Sequence, residues 1–221
     1  MVCMKTLMIC GGAPPSKELF ERIRFEFAPD CLIAVDYGAA FLFECGVTPD
    51  LLVGDFDSID ENILYYYKTK CEIIGLHEEK DETDSEIALR IAAERGTTQL
   101  VLLGATGGRI DHTVANMYLL IDADRINIFA KMIDQNQEIF IISDHYEFLN
   151  MQKHTVSLLP ASDIASAIQT EGFYYPLYHE DLKMGDVRGM SNMIISQNAS
   201  VSVEKGCLFC IINYLSIENE A

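Results

Sequence analysis

The chain has 221 residues, 49% hydrophobic and 23% charged, with a formal net charge of −18 from 34 acidic against 16 basic residues. This is an ordinary globular composition, long enough for one large domain or two small ones with a sizeable core. The acidic balance excludes non-specific binding to nucleic acid or anionic lipid, which needs clustered Lys and Arg, and suits a metal ion or a cationic ligand.

In chain order, the first half alternates strand and helix. Strands are predicted at 6–10, 32–35, 51–53, 73–76 and 99–103. Helices are predicted from Ser16, as N-cap, to about 27, then from 36–39 to about 45, at 61–67, at 85–95 closed by Gly96, and from 112 to about 121. Regular β-α alternation with short connections means a doubly wound parallel sheet. From about 126 the pattern changes to short runs rich in Ile, Val and aromatics, at 127–133, 138–143, 155–159, 200–203 and 207–214, separated by Gly, Asn, Asp and Pro. These predict an antiparallel β-sandwich, giving an α/β domain over 1–125 followed by a β domain over 126–221. Phe173, Tyr174, Tyr175 and Tyr178 are read as part of its core.

Seven cysteines, an odd count without framework spacing, predict a reducing, cytoplasmic setting. Cys207 and Cys210 form C-x-x-C inside an apolar strand, with no second pair or His cluster to complete a zinc set. The N-terminal apolar run is too short for a signal peptide, and no stretch approaches the ~18 apolar residues of a membrane span, so a soluble protein is expected.

Aspartates recur after the predicted strands, where a parallel sheet gathers its ligand-binding loops. Asp55 and Asp57, in Gly54-Asp55-Phe56-Asp57-Ser58, stand two apart in an extended segment, so both carboxylates are expected to aim one way and hold a cation between them. A solvated turn is the plainer alternative. Asp81, Thr83 and Asp84 precede the helix at 85–95, where Thr83 and Glu86 form a capping box that leaves both aspartates over. Gly104-Ala105-Thr106-Gly107-Gly108-Arg109-Ile110-Asp111-His112 offers a glycine-rich anion cradle and the bidentate fork of Arg109. Asp111 reads equally as a helix cap or a catalytic group, and His112 as a buried histidine or a catalytic one. Asp36 suits a ribose or metal contact, and Gly189-Met190-Ser191-Asn192 is a polar turn.

The ordered set GDFDS, KDETDSEIAL, GATGGRIDHTVAN and a late GMSN resembles the thiamine pyrophosphokinases, over nearly the whole chain. The resemblance implies an α/β nucleotide domain joined to a β-sandwich that binds thiamine and dimerises. It implies transfer of the pyrophosphoryl group of ATP to thiamine with Mg²⁺, in a homodimer whose sites are composite. By motif, Asp55, Asp57 and Asp84 would hold the metal, with Arg109 and Asp111 in the transfer site. Asp36, Gly38, Asp81, Thr83, Gly104, Thr106, Gly107, Arg109 and Asn116 would line the ATP site. Asp84, Ser191 and Asn192 would meet thiamine, the last two in a partner's site. Two features depart from the pattern: Asp36-Tyr37-Gly38 stands where relatives often read Asp-Gly-Gly or Asp-Arg-Gly, and the chain has no Trp to stack thiamine, so a Tyr or Phe must replace it. Two other classes use the same acids differently: a D-x-D phosphatase or nucleotidase, and a non-enzymatic nucleotide-sensing module.

Overall fold

The computed structural model describes residues 3–77 and 79–214. The chain divides into two compact units, Met1–Gln135 and Asn136–Ala221.

The first unit is built on strands β1 (Met4–Ile9), β2 (Cys31–Val35), β3 (Leu51–Gly54), β4 (Glu72–Gly75), β5 (Thr97–Leu103) and β6 (Phe129–Ile133). All five pairings are parallel and set the order β4-β3-β2-β1-β5-β6. Strands β2 and β3 are buried along their whole length, as unbroken apolar runs such as Cys31-Leu-Ile-Ala-Val must be when helices cover both sheet faces. Those helices are α1 (Lys17–Phe27), α2 (Gly38–Glu44), α3 (Glu61–Tyr67), α4 (Asp84–Glu94) and α5 (Ile110–Arg125). Ser16 caps α1 by accepting from Leu19 N at 3.1 Å, and Thr83 with Glu86 closes the expected capping box on α4. Sequence order reverses between β1 and β5, so the crevice of this sheet opens beyond their carboxyl ends.

Residues 127–133 were expected to open the β domain, with the division at 125/126. Instead β6 pairs parallel with β5, Gln99 facing Phe129 through Leu102 facing Met132, and the units divide after Gln135. Alternating burial along Phe129–Ile133 imitates a half-exposed antiparallel strand.

The second unit is a two-sheet antiparallel sandwich. Strand β14 (Leu208–Asn213) pairs with β7 (Gln137–Ile142) and β9 (Thr155–Pro160), and β9 pairs with β12 (Asn192–Met193). The facing sheet runs β11 (Glu180–Lys183), β10 (Ile164–Glu171), β13 (Asn198–Ser202), β8 (His145–Leu149). Between them lies a core that includes Phe140, Phe148, Ile168, Phe173 and Leu208. Of the aromatic group expected in this core, only Phe173 is buried; Tyr174, Tyr175 and Tyr178 are exposed by 57%, 67% and 72%. Among the described residues no helix is long and apolar enough to cross a membrane.

Candidate active site

The loops following β2, β3 and β4 bring three carboxylates together. Asp36 follows β2 with φ +46, and its N–H donates to Val53 O at 2.9 Å, which ties it to β3. Asp55 follows β3, and Asp84 is the first residue of α4. One oxygen of each lies within 4.8 Å of the others. Asp36 Oδ1 and Asp84 Oδ1 are buried without an aligned hydrogen bond. Lys80 Nζ sits beside them as an ion, 2.7 Å from Asp84 Oδ1 and 3.6 Å from Asp55 Oδ2.

Three acids cannot all ionise at this spacing without a cation. Burial first, then hydrogen bonding with Asp84 and the Asp84 and Asp55 charges, push the Asp36 carboxyl up to about 8. Asp84 moves the other way: burial works to raise it, but hydrogen bonding with Asp36 and the Lys80 ammonium hold it below the usual carboxylate range. Hard oxygen donors with unused lone pairs, and an ammonium lodged beside them, fit a hard divalent cation.

Gly54 makes the cluster sterically allowed, because a Cβ there would fall on Asp36 Oδ1. Gly54→Ala is therefore expected to cost about 1–3 kcal/mol of stability through overpacking and to push Asp36 off the triad. Urea denaturation checks this; an alanine variant as stable as the parent would mean the Asp36 side chain turns aside freely.

Asp57 does not join the cluster. The segment after β3 is not extended: Phe56 has φ +65, and Asp57 N–H turns back to donate to Asp55 Oδ1 at 3.1 Å. The two-residue alternation expected to align Asp55 with Asp57 is thereby broken, and Asp36 takes the third place.

At the reversal point the loops after β1 and β5 are fastened together. Gly12 N donates to Gly104 O at 2.8 Å and Ala13 N to Thr106 O at 2.9 Å. Gly107, at φ +77, packs so closely that an added Cβ would lie 2.5 Å from Ala13 Cβ. Arg109 is exposed and engaged: its Nε and Nη2 donate to Asp111 at 3.1 and 2.6 Å. That fork holds the Asp111 carboxyl down to about 2, with help from the His112 backbone N–H. Asn116, one face further along α5, donates to Ala105 O at 2.9 Å and steadies the glycine loop.

A cleft of about 650 Å³ joins these groups. Asp36, Asp55, Asp57, Thr83, Asp84, Gly107, Arg109, Asp111 and Asn116 line it. Gly38, Asp81, Gly104 and Thr106 do not: Gly38 is packed against Ile9 O, Asp81 is exposed, Gly104 is packed against Cys10 O, and Thr106 donates to Asp134 at 3.3 Å. Lys80, Ser85 and His112 also line the cleft. Lys80 is not among the residues expected at the site, although its place four residues before Asp84 is a readable signal. Cys10 lines the cleft too, but burial pushes its thiol up to about 12, so it stays protonated and is no nucleophile.

In the second unit, Ser191 has φ +53 and its N–H donates to Ser157 Oγ at 3.0 Å. Asn192 is buried, with both ends of its amide used: Nδ2 donates to Tyr175 O at 2.7 Å, and Oδ1 accepts from Tyr175 N at 3.0 Å and Met193 N at 2.9 Å. Its direct effect is to hold the exposed Tyr174–Tyr175 pair, whose rings meet edge to face at 4.8 Å.

A doubly wound sheet with an acid-lined cleft at its carboxyl edge, followed by an antiparallel sandwich, defines the class: a two-domain α/β-plus-β protein whose ligand cleft lies where the strand order reverses. Known proteins narrow it further. The family model for the thiamin pyrophosphokinase catalytic domain matches residues 27–130, and that for the thiamin pyrophosphokinase vitamin B1 binding domain matches 142–208. The thiamine pyrophosphokinase of Bacillus subtilis is 31% identical over 212 residues, 94% of this chain and 98% of the relative. The solved structure of thiamin pyrophosphokinase from Geobacillus thermodenitrificans superimposes with a TM-score of 0.80 at 30% identity, covering 97% of this chain and 99% of that one. The yeast enzyme, at 18% identity and TM-score 0.81, shares the fold, with 96% of this chain and 87% of that chain covered. This chain belongs to the thiamine pyrophosphokinase family.

Proposed function

We propose that the cleft transfers the pyrophosphoryl group of ATP to the hydroxyl of thiamine, giving thiamine diphosphate and AMP, with Mg²⁺ held by Asp36, Asp55 and Asp84. The observation that carries this reading is the convergence of three carboxylate oxygens within 4.8 Å, in a cleft that also holds Arg109. When bound, the metal would neutralise phosphate charge as it develops. In the transfer, the hydroxyl oxygen bonds to the β-phosphorus as the bond from that phosphorus to the α,β-bridging oxygen breaks. AMP leaves with the electron pair, and the hydroxyl proton passes to water or a carboxylate. Asp111, held near 2, is a weak proton acceptor, and little base assistance is needed in a loose transition state. The chain's contribution is alignment and charge: Arg109 for the phosphates, and the triad for the metal.

Incubation with ATP, Mg²⁺ and thiamine tests the reading. AMP formed in step with thiamine diphosphate supports it. ADP, or phosphate released without thiamine, would replace it with a kinase or a hydrolase.

We further propose that the second unit supplies the thiamine contacts and the dimer surface, in the cytoplasm, and that Ser191–Asn192 serves a partner's site. Exposed and held by Asn192, Tyr174 and Tyr175 would take over stacking from the absent Trp. Asn192→Ala should then weaken thiamine use by about tenfold, because the backbone of Tyr175 loses the amide that holds the tyrosine pair in place. Ser191→Ala should have a smaller effect, and the KM for ATP should stay unchanged in both; an equal rise in both substrate constants would contradict the assignment. Mixing Asp55→Asn protomers with Asn192→Ala protomers should restore one intact site per mixed dimer. An active monomer in sedimentation, or no recovery after subunit exchange, argues against composite sites.

A further inference from the structure

Lys80 is the cleft's basic group on the side of the three carboxylates. It lies between β4 and α4, lines the cleft, and its side chain is only 18% exposed. Its ammonium contacts are Asp84 at 2.7 Å, Asp55 at 3.6 Å and the backbone oxygen of His77 at 2.9 Å. Two of these three partners are carboxylates of the triad. An ammonium this close to two carboxylates of the triad supplies counter-charge to the cluster.

We propose that Lys80 is a tethered counter-ion for the empty triad, and that it moves onto the phosphates of the nucleotide when a divalent cation occupies the three carboxylates. The inference rests on the metal-site reading above. The physical argument is competition. An ammonium and a dication a few ångströms apart repel strongly in a partly desolvated cleft, so both cannot stay on Asp55 and Asp84. The lysine has a flexible four-carbon stem with three rotatable donors, and the nearest new anion is the polyphosphate that accompanies the metal. Lys80 and Arg109 are the Lys and Arg side chains lining this cleft. Arg109 is held by Asp111 on the α5 side, so Lys80 would grip the substrate from the metal side.

The test compares parent, Lys80→Met, Lys80→Gln and Lys80→Arg proteins, each shown to be folded by its melting curve. Mn²⁺ binding to the nucleotide-free protein, followed by electron paramagnetic resonance, is the first measurement. Removing the competing ammonium should tighten Mn²⁺ by about tenfold in the Met and Gln variants. The second is steady-state transfer with Mg²⁺. The same variants should show a raised KM for ATP and a turnover lowered by about tenfold or more, and Lys80→Arg should regain much of both. Unchanged or weaker Mn²⁺ binding in folded variants overturns the inference, as does tighter binding with undiminished transfer. If neither the parent nor the Met and Gln variants bind Mn²⁺, the metal-site reading falls and takes the inference with it. A parent that binds Mn²⁺ and makes AMP, beside variants that match it in both assays, sinks the role of Lys80 alone.

Discussion

Asp84→Asn should lower pyrophosphoryl transfer by about three orders of magnitude while leaving a folded protein. The substitution keeps the shape of the side chain but replaces a charged donor oxygen with a neutral amide. It acts at the centre of the site: Asp84 is the residue that both Asp36 and Lys80 address. The start of α4 does not depend on it, because the cap is made by Thr83 accepting from Glu86 N at 3.2 Å and Glu86 accepting from Thr83 N at 2.6 Å. Folding should therefore survive, and removing one of three crowded acids relieves repulsion in the metal-free state. Asp55→Asn should match it in rate. Asp57→Asn should cost far less, about tenfold, because that carboxylate lies outside the triad. The rates are read at saturating Mg²⁺, with circular dichroism and a melting curve for each variant. Equal losses at 55 and 57 would restore the D-x-D pair as the metal site; near-parental activity of Asp84→Asn would remove the triad from the chemistry.

The difference between Asp57 and Asp36 shows what the sequence could carry. The parallel sheet was legible because Cys31-Leu-Ile-Ala-Val and Leu51-Leu-Val are unbroken apolar runs, and because Ser16 and Thr83 mark helix starts by side-chain chemistry. Once the strands were placed, the acidic loops had to fall on one edge. Which acids meet was a matter of turn geometry instead. A positive φ at Phe56, a non-glycine residue, has no reliable sequence mark, and it undid the period-two argument. Asp36 reaches the site only because Gly54, on the next strand, has no side chain. The sandwich was less legible than the sheet. Strand β10 has a register shift between Ala165 and Ile168, with Ala167 at φ +53, so its buried residues fall at 165, 168 and 170 and show no clean alternation. The chemistry of Asn192 was also hidden: its amide is consumed by the backbone of Tyr175, seventeen residues away.

Arg109→Lys should reduce transfer by about a hundredfold even though the charge is kept. In the ligand-free protein the guanidinium is already paired in a fork, Nε and Nη2 each on one oxygen of Asp111. Asp111 takes the Nε–Nη2 edge and fixes the plane of the group, leaving Nη1 and the second Nη2 hydrogen for two phosphate oxygens. Lysine offers a point charge that cannot reproduce two parallel hydrogen bonds, and its head would be hydrated rather than aligned. The pair is exposed, so its loss should hardly change stability, and a drop in rate would not be an unfolding artefact. Its ionisation should not confuse the assay either. With Asp111 held down to about 2 and Arg109 raised by the same contact, both stay charged across any pH at which the protein would be studied. Asp111→Asn, which loosens the fork but leaves the guanidinium, should fall between parent and Arg109→Lys, with the larger change in the KM for ATP. Arg109→Lys retaining more than about half the parental rate would mean that this side chain supplies general positive charge to the cleft and does not grip the phosphates.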